Sequence, residues 1–300
     1  MQPKRIRFNV NGVILVNKPL GYSSNQTLSV IKKLFNPKKA GHTGTLDPLA
    51  SGLLPICMGE ATKFSRYILE SNKAYEATIK LGFVSSTGDL EGKLKSLNIK
   101  KYPSLSEIYK AIKYFLGPQE QLPPMFSALK FKGKPLYEYA RNGEEIERKK
   151  RNINIISLDI LDYKKNTLKI YVECSKGTYI RTLATDIGLF LKTGGYLSGL
   201  IRTSVGSINL LDASTIESIE KLSGEKRKAL VLPIDMLMQG FGKIIFDSDE
   251  EKAIKEGKTL SNKDYRIGTY KLYNNDEVFL GLGDIDLNGY LKVRRLIATN

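Results

Sequence analysis

The chain has one histidine and two cysteines in 300 residues, and that scarcity removes several kinds of chemistry at once. A structural zinc site takes four ligands, mostly Cys and His, so His42, Cys57 and Cys174 do not make a standard one. No metal site is expected. Two cysteines far apart in sequence, each in apolar surroundings, form no disulfide framework and suit a reducing compartment; the cytoplasm is expected. No apolar run approaches the roughly 18 residues of a membrane-spanning helix, so no membrane partner is expected. The opening MQPKRIRFNVNG is basic but carries no apolar segment and does not read as a secretory signal. There is no Gly-x-x-x-x-Gly-Lys-Ser/Thr phosphate loop and no Gly-x-Ser-x-Gly elbow. Neither an internal repeat nor a low-complexity segment occurs.

What the chain does have is positive charge. The formal net charge is +16, and all of it lies in residues 1–238, which carry 37 Lys/Arg against 21 Asp/Glu; residues 239–300 carry 10 of each. A basic surplus on this scale suits a polyanion, most simply a nucleic acid; a genome that favours lysine codons would also produce it. Hydrophobic residues at 41% are those of an ordinary globular protein, and the length makes two domains a reasonable expectation.

Along the chain, GVILVNKP (12–19) reads as a buried strand, and Ser24 can cap a helix through Leu28, Ile31 and Phe35 that Pro37 stops. LLPICMG is a short apolar strand, and EATKFSRYILE puts Ala61, Phe64 and Ile68 on one helical face. KAYEATIKLG alternates, with Tyr75, Ala77, Ile79 and Leu81 on one side. After the turn-rich VSSTGDLEGK, SLSEIYKAIKYF opens with a Ser104-x-x-Glu107 capping box. Residues 120–151 differ in texture: three prolines, then eight Lys/Arg beyond residue 129, as in a long, partly structured functional insertion. INIISLDIL and TLKIYVEC are strands, YIRTLATDIGLFLK a helix, YLSGLIRTSVGSINL two short strands around Gly206, and 215–222 helical. From about 239, short strands separated by Gly and Asn turns describe a small, separate β-rich unit.

The stretch AGHTGTLDPLASG (40–52) carries the chemistry. Asp47 followed by Pro48 fits a helix N-cap with proline in the first turn, or a tight turn. Yet Gly41, Gly44 and Gly52 free the backbone, and Thr43 and Thr45 can bond loop amides, which makes a rigid mount for a side chain. No second carboxylate stands beside Asp47 as glycoside chemistry would need. A lone ionised carboxylate acting as nucleophile or base is then the chemical reading, and in a closed site it needs a neighbouring cation. Arg181 is a candidate: a cation in the first turn of a helix opposes the dipole and asks for an anionic partner, although a solvated helix start is the plainer alternative. Tyr75 is either a core tyrosine or an aromatic face for a nucleobase. His42 can stack or hydrogen-bond, or do neither.

At this point the sequence resembles the TruB-type tRNA pseudouridine synthases. The similarity lies in VNKPLGYSS, GHTGTLDPLASGLLPICMGEATK, KAYEATIKLG, STGDLEG, PPMFSALKFKGKPLYEYARNGEEIERKKR and CSKGTYIRTLATDIG, in order through roughly residues 10–210. The last sixty residues resemble, more weakly, the PUA-like RNA-binding module appended to that family. The resemblance implies an α+β fold: a mixed-sheet catalytic domain (1–238) with a basic thumb at about 124–151, and a small β barrel (239–300). It implies isomerisation of uridine to pseudouridine in the T loop of tRNA, with no cofactor, because uracil and ribose are both substrate and product. Asp47 matches the family's essential aspartate, either attacking ribose C1′ or assisting removal of a C2′ proton. Tyr75 matches the residue that stacks on the target base and assists C5 proton transfer, and Arg181 the arginine paired with the aspartate. Lys18 matches a position near the site, and His42 the residue implicated in opening the RNA loop. Tyr179, Lys130 and Arg141 are expected among the RNA-binding residues, and a monomer is expected. Two departures are local: Ser51 stands where the family often has threonine, and STGDLEG lacks an acidic residue often found earlier in that turn. A non-catalytic RNA-binding factor, and the same chemistry on a guided RNA, remain as alternatives; only the enzyme readings require Asp47.

Overall fold

The computed structural model describes residues 8–261 and 265–298; residues 1–7 of the basic opening stretch lie outside them. Ten strands form one mixed sheet. Its path runs Ser214–Thr215, Gly12–Lys18, Ala50–Met58, Gly195–Val205, Lys73–Leu81, Thr167–Cys174, Arg151–Lys164 and Gly117–Gln121, with Ala40–His42 and Ile208–Asn209 paired off the path. Two of the pairings are parallel: Ser214–Thr215 beside the first strand, and Gly195–Val205 beside Ala50–Met58.

The apolar runs of the first and third strands have a simple cause, which is burial of both faces of the sheet. Val13, Leu15, Leu53 and Cys57 feed one core cluster, while Ile14, Val16, Leu54, Ile56 and Met58 feed another on the opposite face. Each such side chain contributes about 1.5–3 kcal/mol on burial. The alternating strand Lys73–Leu81 sends Ala77, Ile79 and Leu81 into a third cluster, beneath the helix Ile180–Phe190. That helix lies close against the sheet because Gly188 has no side chain; a Cβ there would come within 2.2 Å of the Gly195 nitrogen. The close approach fixes where the N-terminus of the helix, and with it Arg181, stands.

Several expectations shift in detail. The helix Ser24–Phe35 is capped by Ser23, with Gln26 completing the capping box, while the Ser24 hydroxyl bonds to Leu46. The segment EATKFSRYILE is a 3-10 turn, Gly59–Lys63, followed by a short helix, Ser65–Leu69. Thr62 and Ser65 bond back to carbonyls three residues earlier and compete with a continuous α-helical ladder. Ala61, Phe64 and Ile68 are nonetheless all buried. Two strands do flank Gly206, but the first is long, Gly195–Val205, with irregularities between Leu197 and Gly199 and between Arg202 and Ser204, and the second is only Ile208–Asn209.

The insertion leaves the edge strand Gly117–Gln121, folds into a hairpin, Lys130–Phe131 with Lys134–Pro135, and a helix, Leu136–Arg141, then returns through Arg151–Lys164. The C-terminal unit is a five-stranded sheet, ordered Gly242–Phe246, Gly268–Asn274, Phe279–Ile285, Tyr290–Leu296 and Leu260–Ser261. It also holds a helix, Ser248–Lys255, opened by an Asp247–Glu250 capping box. Only Ile254 of that helix is buried, so its sequence carries little apolar periodicity. The unit packs against the large sheet: Tyr273, Phe279 and Leu282 share a core cluster with Val13, Leu53 and Phe64. The Tyr273 hydroxyl also bonds the Asp235 carboxylate at 2.6 Å.

Candidate active site

Asp47 caps no helix. It opens a turn, with the Ala50 amide bonded to the Asp47 carbonyl at 3.0 Å, that leads into the strand Ala50–Met58. The loop is pinned on both sides of it. Thr43 is buried and bonds Pro55 through both its amide and its hydroxyl. Ser24 bonds both the amide and the carbonyl of Leu46, and the Gly21 amide donates to the Pro48 carbonyl. The carboxylate therefore sits on a backbone with little freedom, at a small cleft lined by Leu49, Ala50, Asp89, Arg181 and Leu197–Leu200.

Arg181 is the second residue of its helix and is buried, with 8% side-chain exposure. It bridges two carboxylates: Nε lies 3.1 Å from Asp47 and an Nη 3.2 Å from Asp89. The other Nη donates to the Phe126 carbonyl in the first turn of the insertion, at 2.5 Å. Two anions offset the unfavourable helix position. The two differ, however: the Asp89 side chain is 6% exposed and that of Asp47 44%. Asp89 also accepts from the Thr87 hydroxyl and the Glu91 amide, so its role is to hold the guanidinium, whereas Asp47 keeps an open face. Walls of protein around that face still desolvate it. Burial pushes the Asp47 carboxyl above the usual range; Arg181 and Lys18 pull it back, and Asp89 adds to the rise.

Lys18, fully buried at the end of the first strand, donates to the carbonyls of Pro19 and Tyr22. Burial lowers it to about 8, against the opposing pull of Asp47. Tyr75 lies on the strand Lys73–Leu81, in register with Arg202 on one neighbour and Val172 on the other. Burial raises the pKa of its hydroxyl; the Arg202 charge opposes the rise and the Asp47 charge adds to it. His42 is half-buried at the end of Ala40–His42, with a buried Nδ1 that has no hydrogen-bond partner among the described residues. Burial, and then Arg202, lower its pKa, so the ring is neutral at neutral pH.

Tyr179 precedes the helix that carries Arg181, and its backbone is clamped by the Gln121 side chain, which donates to its carbonyl and accepts from its amide. Burial raises the pKa of the Tyr179 hydroxyl. Gln121 ends the edge strand from which the insertion departs, so its two bonds tie the root of the insertion to the start of the Arg181 helix. Lys130 and Arg141 stand out on the insertion, Arg141 over the Tyr137 ring at 5.4 Å. Among the described residues neither bonds to Asp47, Tyr75 or Arg181. Sequence reasoning missed Asp89, Gln121 and Arg202. Only Asp89 left a mark, as the one acid in a Ser-Thr-Gly-Asp turn. Among the described residues no group of three His, Cys, Asp or Glu side chains is placed to hold a metal ion.

Solved structures share the fold. A chain in "Structure of H/ACA RNP bound to a substrate RNA containing 2'-deoxyuridine" aligns with a TM-score of 0.73 at 21% identity, covering 97% of this chain and 86% of that one. A chain in "Crystal Structure of a Cbf5-Nop10-Gar1 Complex" aligns equally well, at 22% identity over 96% and 85%. The family is narrower than the fold. Residues 32–180 match the family described as TruB family pseudouridylate synthase (N terminal domain), 181–239 the tRNA pseudouridylate synthase B C-terminal domain, and 242–297 the C-terminal domain of pseudouridine synthase II TruB. A "tRNA pseudouridine synthase B" from Methylobacillus flagellatus is 43% identical over 99% of this chain and 98% of its own length. Another, from Nitrosomonas europaea, is 46% identical over 90% of each. The chain belongs to the TruB family of pseudouridine synthases.

Proposed function

We propose that this chain isomerises uridine to pseudouridine in tRNA, at the T loop, with Asp47 acting on the ribose of the target nucleoside. The observation that carries the reading is the Asp47–Arg181–Asp89 chain, which leaves one carboxylate open to the cleft and spends the other on holding the guanidinium. In the reaction the C1′–N1 bond breaks, the uracil turns, and a C1′–C5 bond forms; the C5 proton leaves and N1 gains one. An ionised Asp47 serves either entry, by attack at C1′ or by taking a proton from C2′, and Arg181 and Lys18 favour that form against the effect of burial.

A uridine inside a folded loop must leave its stack first, at a cost of a few kcal/mol. Stacking on Tyr75, worth about 1–3 kcal/mol, offsets much of that, and a neutral His42 takes the place the base vacates. The basic insertion 124–151, with Lys130 and Arg141, closes on the phosphates. Because Arg181 bonds the Phe126 carbonyl, that closure is communicated to the Asp47 pair.

Residues 1–238 act as the catalytic domain and 239–300 as an RNA-contacting unit. A groove of about 660 Å³ runs between the C-terminal unit and Lys63. Its Lys63, Lys255, Lys258, Lys292 and Arg294 each pair with a carboxylate, which favours recognition of shape over simple charge. The reaction is that of a cytoplasmic monomer.

The test is release of tritium from T-stem-loop RNA labelled at uracil C5. Wild-type protein releases it and Asp47→Asn does not. No release from wild type, or equal release from both, refutes the reading, and RNA binding without release marks a pure binder.

A further inference from the structure

Leu20, Gly21 and Tyr22 form a short loop between the first strand and the helix Ser24–Phe35. Its backbone is held from three directions. The buried Lys18 ammonium donates to the carbonyls of Pro19 and Tyr22. The Gly21 amide donates to the Pro48 carbonyl at 2.8 Å, which ties the loop to the residue after Asp47. Ser23 then closes it as the cap of the helix. Gly21 has a φ of +84°, and a Cβ there would meet nothing within 4 Å; the left-handed turn calls for glycine, not crowding.

Held this firmly, the loop still leaves both its large apolar side chains in solvent: Leu20 is 66% exposed and Tyr22 42%. Neither belongs to a core cluster. A residue in the position of Tyr22, just before a helix cap, often packs against an apolar residue in the first turn. That position here is Thr27, whose hydroxyl donates to the Ser23 carbonyl. One exposed leucine is ordinary. Two large apolar side chains on a fixed backbone, bonded to the Asp47 turn, contribute little to the fold and are already ordered for a partner, which lowers the entropy cost of contact. The site defines that partner. An RNA strand that delivers a nucleoside to Asp47 brings the flanking nucleotides to the rim of the same cleft, with base surface bared by the loss of their neighbour.

We propose that Leu20 and Tyr22 are an apolar wedge that covers a base flanking the target uridine and disfavours closure of the opened RNA loop. The proposal rests on the function argued above. Proteins that open stacked bases set apolar side chains against the separated faces, and an aromatic ring accepts any base because every base has a π face. The Tyr22 ring supplies the stacking surface and Leu20 widens it. The wedge acts from a different element than His42, which ends the strand Ala40–His42, so the two contacts are separable by substitution. The net charge of +16 brings the polyanion to this surface; the wedge adds contact with bases, not with phosphates.

The experiment measures the Kd of wild type, Leu20→Ser, Tyr22→Ser and Tyr22→Phe for three T-stem-loop RNAs. One is intact, and the other two lack the base immediately 5′ or immediately 3′ of the target uridine. Each serine variant is expected to bind the intact RNA about fivefold or more weakly than wild type. On one of the two abasic RNAs the same variant should lose at most about twofold, because the base it would touch is gone. Tyr22→Phe, which keeps the ring, should recover most of the affinity that Tyr22→Ser loses. Undiminished binding by the serine variants, or an equal loss on all three RNAs, overturns the proposal. So does a lowered urea midpoint in the serine variants, which would assign the two side chains to the fold. Wild type that binds the intact RNA without releasing tritium would instead refute the proposed function, so the two failures are distinct.

Discussion

Arg181 touches two carboxylates, and replacing each by its neutral isostere should separate stability from chemistry. In Asp89→Asn the guanidinium loses a partner 3.2 Å away in a site where both side chains are nearly closed to solvent. At an effective dielectric of about 20, the Coulomb attraction at that distance is about 5 kcal/mol before desolvation is charged against it. Breaking a buried pair from one side typically costs 3–5 kcal/mol. The second carboxylate, Asp47, stays on Arg181 and offsets part of this, so a net loss of about 2–4 kcal/mol is expected. Asp47→Asn removes a pair of nearly the same length, 3.1 Å, but with a half-open carboxylate, and should cost under about 1 kcal/mol. Urea titration at pH 7 measures both.

The same pair of variants has a signed pH signature. Asp89 helps raise the Asp47 carboxyl, so removing its charge should move the acid limb of the single-turnover rate of Asp89→Asn to lower pH. Asp47→Asn should have no rate to profile. Equal destabilisation by the two variants, or an acid limb that moves up in Asp89→Asn, would refute the division of labour between the carboxylates.

Three further outcomes are expected. Gly52→Ala must displace the Arg202 backbone and adopt a left-handed φ; it should cost about 2 kcal/mol or more by urea titration and slow the reaction with the fold retained by circular dichroism. Lys18 and Lys73 are each lowered to about 8 by burial. The unfolded chain therefore holds more protons than the folded one between pH 8 and 10, and stability should rise with pH across that window; Lys73→Met should flatten the rise, and an unchanged slope would contradict it. Burial pushes Cys57 and Cys174 up to about 12, so neither thiol should react with a disulfide reagent at pH 8 until denaturant is added.

Periodicity carried most of the secondary structure. The alternation in Lys73–Leu81 and Thr167–Cys174, and the capping box at Ser104, act over neighbouring residues and need no tertiary partner. Where local signals competed, the outcome was decided at a distance. Either Ser23 or Ser24 can cap a helix; Ser24 is drawn off by Leu46, twenty-two residues along. The charged helix Ser248–Lys255 escaped notice because only one of its side chains is buried.

For the site, the sequence by itself determined the instruments: a glycine-rich loop carrying one aspartate, a tyrosine on an alternating strand, and an arginine where a helix tolerates one only with an anion nearby. Local chemistry set those demands. Which groups answer them was decided only by tertiary structure. Asp89 reaches Arg181 across 92 residues of chain, and Arg202 meets Gly52 and Tyr75 because Gly195–Val205 inserts between Ala50–Met58 and Lys73–Leu81. A strand order is a choice among pairings that all satisfy the same backbone hydrogen bonds. Side-chain packing on both faces of the sheet makes that choice, and no short stretch of the chain contains it.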